Sequence, residues 1–201
     1  MIASILKLSR ADCNNLKLKD PYSLHRIIYS LFPQQNEDSR DFLYCDKGGD
    51  WNSRKILILS QRQPLIPEHG TIESKIIPES FLDHPQYAFE VRVNPVQRNG
   101  PTKKTTPIRG IDQLHKWFIE KSFFYGFEIS EPKKLQVTKV GVVHFEKNKG
   151  EKSFKYTHGT ATFIGQLKVV NKEEFKKCFK QGIGRAKGFG FGLLQIVPIQ
   201  N

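Results

Sequence analysis

Two prolines, Pro21 and Pro33, close off the segment Pro-Tyr-Ser-Leu-His-Arg-Ile-Ile-Tyr-Ser-Leu-Phe-Pro. Because proline is tolerated at the first position of a helix but not in its interior, the segment can hold only a short helix of about three turns. Asp20 is a good N-cap and Pro33 ends the run. At about 100° per residue, Leu24, Ile27, Ile28 and Leu31 share one face, which predicts the buried side. Tyr22, His25, Arg26 and Tyr29 share the opposite face. An imidazole, two phenols and a guanidinium on an anchored helix can do acid-base work near neutral pH. A solvated helix that merely carries a histidine has the same pattern, so both readings stay open at this point.

The rest of the chain is read around that helix. Ile2 to Leu8 alternates and predicts a first strand, with Ser9 to Lys19 as a loop. Asp41–Cys45 and Lys55–Gln61 form a predicted hairpin turned at Gly48-Gly49. Prolines 64, 67 and 78 leave Pro64 to Asp83 irregular apart from one turn of helix at Glu79–Leu82, and Tyr87 to Asn94 alternates into Pro95. A polar loop from Gln97 to Gly110 is the expected domain junction. A helix capped by Asp112 follows, with Leu114, Trp117, Phe118 and Phe124 as apolar positions and Ile111 beside them, and it ends near Gly126. Leu135–Glu146 and Ser153–Val170 form a second hairpin with a basic tip at Lys147 to Lys152. Lys172 to Gln181 is a helix burying Phe175, Cys178 and Phe179 with its lysines outward, and Leu193 to Pro198 closes the chain. With a first strand of the second half hidden near Thr106 to Arg109, the order is two successive βαββαβ units. The expected fold is α+β, two tandem ferredoxin-like (RRM-like) domains at 1–96 and 97–201, the first carrying the helix and the second the basic residues.

Charge narrows the function. The net charge is +12, but residues 1–100 hold 13 Lys and Arg against 12 Asp and Glu, whereas residues 101–201 hold 19 against 8. An excess confined to one half of a folded chain points to a polyanion, and nucleic acid is the commonest. No run of about 18 apolar residues and no signal-peptide pattern is present, so a cytoplasmic protein without a membrane partner is expected. Cys13, Cys45 and Cys178 are too widely spaced for a zinc site or a disulfide framework and read as inert thiols. The histidines lack two-His metal spacing, so neither metal nor cofactor is expected.

The segment Gly182-Ile-Gly-Arg-Ala-Lys-Gly-Phe-Gly-Phe-Gly192 is dense in glycine. It follows a helix and precedes a strand, the reverse of a dinucleotide-binding turn, and no Gly-Lys-Ser/Thr closes it as in a P-loop. Its glycines permit either an anion nest flanked by Arg185 and Lys187, or close packing of the loop on the neighbouring domain, or both.

Taken together, Tyr22-x-x-His25 in its proline-bracketed helix, Phe89-Glu-Val-Arg-Val-Asn-Pro95 and the Gly182–Leu194 segment, in that order and at nearly full chain length, resemble the CasE-type CRISPR repeat-processing endoribonucleases. The resemblance implies a substrate that is the stem-loop of a CRISPR repeat in precursor RNA, metal-independent cleavage, and retention of the mature guide RNA among other Cascade subunits. It implies attack by a ribose 2′-OH on the adjacent phosphate, giving a 2′,3′-cyclic phosphate and a 5′-OH. His25 matches the family's catalytic histidine, and Tyr22 its neighbouring tyrosine, which would orient the phosphate or assist proton transfer. Arg26 is added on helix geometry alone, as a group that could neutralise the phosphate. Lys103, Lys104, Lys147, Lys149, Lys152, Arg185 and Lys187 are the expected RNA-binding residues. Phe191 stands where the family often has a smaller residue, a change expected to alter packing only. The rival readings are a non-catalytic RNA-binding subunit and a phosphate-ligand enzyme using the glycine-rich loop.

Overall fold

The computed structural model describes residues 1–33, 40–50, 52–98, 100–101, 104–149 and 152–200. In the first unit, β1 (Ile2–Ser9) leads through α1 (Arg10–Asn15) to α2 (Pro21–Ser30), then to the hairpin β2 (Phe42–Gly49) and β3 (Ser53–Ser60), and to β4 (Thr71–Ile76). The sheet order is β2-β3-β1-β4, antiparallel throughout. Alternation along β1 turns Leu6 and Leu8 to one face, where they meet Ile56, Ile58, Phe42 and Tyr44 of the hairpin and Leu24, Ile28 and Leu31 of the α2 side. The helix is therefore held by its apolar stripe, as its spacing predicts.

The second unit begins with β5 (Gln86–Val93). The short ribbon of β6 (Val96–Arg98) and β7 (Thr105–Pro107) follows, then α3 (Ile111–Ser122), β8 (Phe127–Ile129), β9 (Gln136–Lys149), β10 (Lys152–Val169), α4 (Lys172–Gln181) and β11 (Leu194–Pro198). Its sheet order is β11-β5-β10-β8, and β9 also pairs with β10. β8 and β9 lie along one edge of β10, β8 pairing at Leu167–Val169 and β9 from Ile164 toward the hairpin tip. Both sheets thus carry the ferredoxin-like order, although the first unit lacks a helix between β3 and β4.

Several expectations are corrected. Tyr87–Asn94 is a strand, but it belongs to the second sheet, between β10 and β11, and the change of sheet falls between Ile76 and Gln86 rather than at 96/97. Its Tyr87, Phe89, Val91 and Val93 are buried, with Phe89 against Phe118 and Phe127 and Tyr87 against Phe175. This strand is the first of the second unit, so none is hidden near Thr106–Arg109, where the chain forms only the β6–β7 ribbon. The fourth strand of the first sheet is β4, within the stretch read as irregular; five of its six residues are exposed, none is buried, and they leave no alternating signal. The loop after β1 contains α1, started by a Ser9–Asp12 capping box. Gly110, not Asp112, occupies the N-cap of α3, and Ile111 and Phe124 are exposed.

The two units share a core. β2 and β3 are buried on both faces: Phe42, Tyr44, Ile56 and Ile58 face α2, whereas Leu43, Cys45 and Leu59 join the cluster built on Phe89, Phe118 and Phe163. Burial pushes the Cys45 and Cys178 thiols up to about 11 and about 12, which suits inert packing groups. Among the described residues, no helix is long and apolar enough to cross a membrane.

Candidate active site

Asp20 starts α2 by accepting a hydrogen bond from Ser23 N at 2.7 Å, while Ser23 Oγ accepts from Asp20 N at 2.9 Å. Pro21 sits in the first turn as expected. With Leu24 and Ile28 buried, the half-buried His25 turns to the glycine-rich loop of the second unit, with Tyr22 beside it on the helix and Tyr29 packed between it and Phe42 of β2. That loop folds back between α4 and β11 and packs on α2 and β2, so the site forms where the two units meet.

The centre of the site is the Gly188 carbonyl. His25 Nδ1 donates to it at 2.7 Å, and Tyr44 Oη, reaching up from β2, donates to it at 2.8 Å. Burial pushes the Tyr44 phenol well above the ordinary tyrosine range, so it stays a donor. A carbonyl cannot donate, and the neutral imidazole therefore carries its proton on Nδ1 and its lone pair on Nε2, the atom able to take up a proton. Ring contacts hold the imidazole in place: Tyr29 at 4.0 Å, Phe189 at 5.2 Å and Tyr22 at 5.8 Å between centroids.

Gly188 is closely packed. A Cβ there would lie 3.2 Å from Arg40 Nη1, 3.3 Å from Tyr29 Oη and 3.7 Å from His25 Nδ1. Gly190 and Gly192 have φ of +81° and +85°, and a Cβ would press on the Tyr44 ring at 2.9 Å or on the Ile183 carbonyl at 2.3 Å. These glycines serve close packing. Ala186 adopts the left-handed region at φ 56°, strain an alanine bears reluctantly, and it opens the tight turn that presents the Gly188 carbonyl.

Positive charge converges on the same place. Lys187 is half-buried, and its pKa is lowered by burial and then by the charge of Arg40. Arg40 keeps a buried Nε with no hydrogen-bond partner. Two cations pressed together in this way form a site that an anion would stabilise.

Of the sequence-predicted residues, Tyr22, His25 and Lys187 come together here, and Arg26 is exposed on α2 beside them. Arg185 is exposed, and its guanidinium donates to Thr105 Oγ1 at 3.0 Å, tying the loop to β7, which follows the exposed Lys104. Lys103 lies outside the described residues, as do the side chains of Lys147, Lys149 and Lys152. Two lysines of α4 are in ion pairs, Lys176 with Asp83 at 3.2 Å and Lys177 with Glu174 at 3.6 Å, which reduces their weight as a polyanion surface. Sequence reasoning missed Tyr44, Arg40 and the Gly188 carbonyl. Tyr44 looks like any core residue of a strand, and a carbonyl acceptor has no signature in sequence. Among the described residues, no group of three or more His, Cys, Asp or Glu could hold a metal ion.

Comparison with known proteins places the chain in a family. The model of the family described as CRISPR associated protein matches residues 2–198. CRISPR-associated endoribonuclease Cse3 of Thermus thermophilus is 23% identical over 90% of this chain and 92% of its own. The CRISPR system Cascade subunit CasE of Escherichia coli is 25% identical over 90% of this chain and 94% of its own. A solved structure of CRISPR endoribonuclease Cse3 bound to a 19 nt RNA superposes with a TM-score of 0.84 at 21% identity, covering 98% of this chain and 100% of that one, and so has the same fold. The chain, matched over almost its whole length, belongs to the CRISPR associated protein family and is of the CasE type.

Proposed function

We propose that this protein is a metal-independent endoribonuclease that cuts CRISPR precursor RNA within the repeat, at its stem-loop, and keeps the guide RNA as a Cascade subunit in the cytoplasm. The observation that carries the reading is His25, held through Nδ1 by the Gly188 carbonyl beside two tyrosines and two cations. The names of the relatives, an endoribonuclease and a Cascade subunit, support it.

In the reaction, the substrate's own ribose supplies the nucleophile. The bond from O2′ to phosphorus forms, the bond from phosphorus to O5′ breaks, and a proton leaves the 2′-OH as another reaches the leaving oxygen. His25 exchanges a proton with the reacting oxygens through Nε2, work worth about 10²–10⁴ in rate. Tyr22 orients the scissile phosphate. Arg40 and Lys187 stabilise the negative charge that grows on its oxygens, with Arg26 at the rim. Lys103, Lys104, Lys147, Lys149, Lys152 and Arg185 hold the RNA backbone through its charge and shape.

The test is a repeat RNA carrying a single 2′-deoxynucleotide on the 5′ side of the cut. It should bind as the all-ribose RNA does and stay whole, while the all-ribose RNA yields a 2′,3′-cyclic phosphate. Cleavage of the deoxy RNA at the same bond would rule out attack by the 2′-OH.

A further inference from the structure

A cleft of about 780 Å³ opens between the β6–β7 ribbon and the base of the β9–β10 hairpin, lined in part by Asn94, Ile108, Val140, Val142 and Arg185. It adjoins the candidate active site through Phe189, which lines the cleft and lies 5.2 Å from the His25 ring. We propose that this cleft receives an unpaired nucleotide of the RNA next to the scissile bond, with its base against the apolar wall and its phosphate at Arg109 and Arg185. The proposal builds on the RNA-cleaving reading above.

Four observations point to that ligand. Val140 and Val142 are 55% and 57% exposed, and Tyr156 in the same lining is 41% exposed, an apolar surface open to solvent. Gly141 and Gly159 bring no side chain into the cleft; the nearest atom to a Cβ at Gly159 would be Pro107 Cβ at 3.8 Å. Asn94, in the cleft lining, is only 4% exposed, yet its Oδ1 has no hydrogen-bond partner, an orphan acceptor that the amine edge of a base satisfies once the side chain turns into the cleft. The charged side chains among the described lining residues are arginines, with no carboxylate, and the Arg185 guanidinium is already positioned by Thr105. Apolar walls with a few polar groups suit a nucleobase face, and the arginines suit its phosphate. A base within an A-form stem is stacked and cannot enter, so the nucleotide must be unpaired.

The experiment measures binding and cleavage of the CRISPR repeat hairpin from the neighbouring array, with its unpaired flanking nucleotides replaced one at a time by abasic residues. For the wild type, one abasic position should weaken binding by about tenfold or more, as loss of a stacked base does. Gly159→Leu, which fills the cleft from a position with ordinary backbone geometry, should weaken the intact RNA to the same level and show no further loss on the abasic RNA. Gly159→Ala, whose methyl leaves the cleft open, should behave as the wild type. The proposal is overturned if wild-type protein cleaves normally and no abasic position matters, or if Gly159→Leu retains full discrimination; RNA cleavage itself would still stand. Wild-type RNA handling by Gly159→Leu with lost assembly into a complex would instead make the cleft a protein-docking site. Failure of the wild type to bind or cut any hairpin would remove the parent reading as well.

Discussion

Gly188 has no side chain, and the packing of Arg40 and Tyr29 around His25 depends on that. An added methyl would sit at 3.2–3.3 Å from Arg40 Nη1 and Tyr29 Oη and force them to give by a few tenths of an ångström, while meeting His25 Nδ1 in ordinary contact at 3.7 Å. Small misplacements of a reacting group are costly, so Gly188→Ala should lower single-turnover cleavage by about 10–100-fold while RNA affinity and melting temperature change little. His158 makes a second prediction at this scale. Its ring lies 5.7 Å from Phe189, and burial lowers its pKa below the ordinary value of 6.5. The neutral form is favoured in the folded protein, so its contribution is complete above about pH 6.5. As pH falls from there through the lower folded-state pKa, the unfolded chain takes up the proton first and stability declines. Thermal melts should therefore show a loss on acidification that is smaller in His158→Gln. The pairing of Tyr22 with His25 was readable from spacing on one helix. The partners that fix them were not, because Tyr44 and Gly188 reach the site only through tertiary folding.

α2 was the most legible element, since cap, first-turn proline, apolar stripe and terminating proline all agree. Its seat also sets the chemistry. Ile28 is fully buried under the face that carries His25, and Ile28→Ala should cost about 2–4 kcal/mol of stability in denaturant unfolding. Cleavage should fall further than folding alone explains, because the helix loses its register against the glycine-rich loop. α4 was equally legible: Asn171 caps it by accepting from Glu173 N and Glu174 N, and Phe175, Cys178 and Phe179 are buried. β4 and α1 were invisible for the opposite reason. β4 exposes most of its residues at a sheet edge, and α1 buries none fully, so neither carries a hydrophobic period.

On the scale of the whole molecule, the count of units and their ferredoxin-like type could be read from the order of elements, but strand membership could not. β5 alternates in the same way whichever sheet it joins, and its pairing with β10 and β11 and its aromatic partners Phe118, Phe127 and Phe175 place it in the second. The same holds for the site, which neither unit contains alone: the first supplies His25, Tyr22, Tyr29, Arg40 and Tyr44, and the second supplies Gly188, Lys187 and Phe189. The packing of Leu43, Cys45 and Leu59 into the second unit's core is what keeps those halves in register. The most direct test of the proposed reaction is incubation of labelled repeat hairpin RNA in EDTA with the wild type and with His25→Ala, with product length and end group read on a denaturing gel. Cleavage by the wild type to a 2′,3′-cyclic phosphate, with none by His25→Ala although it binds the RNA within a few fold, is the expected result; cleavage by the variant at the wild-type rate, or complete dependence of the wild type on added Mg²⁺, would contradict it.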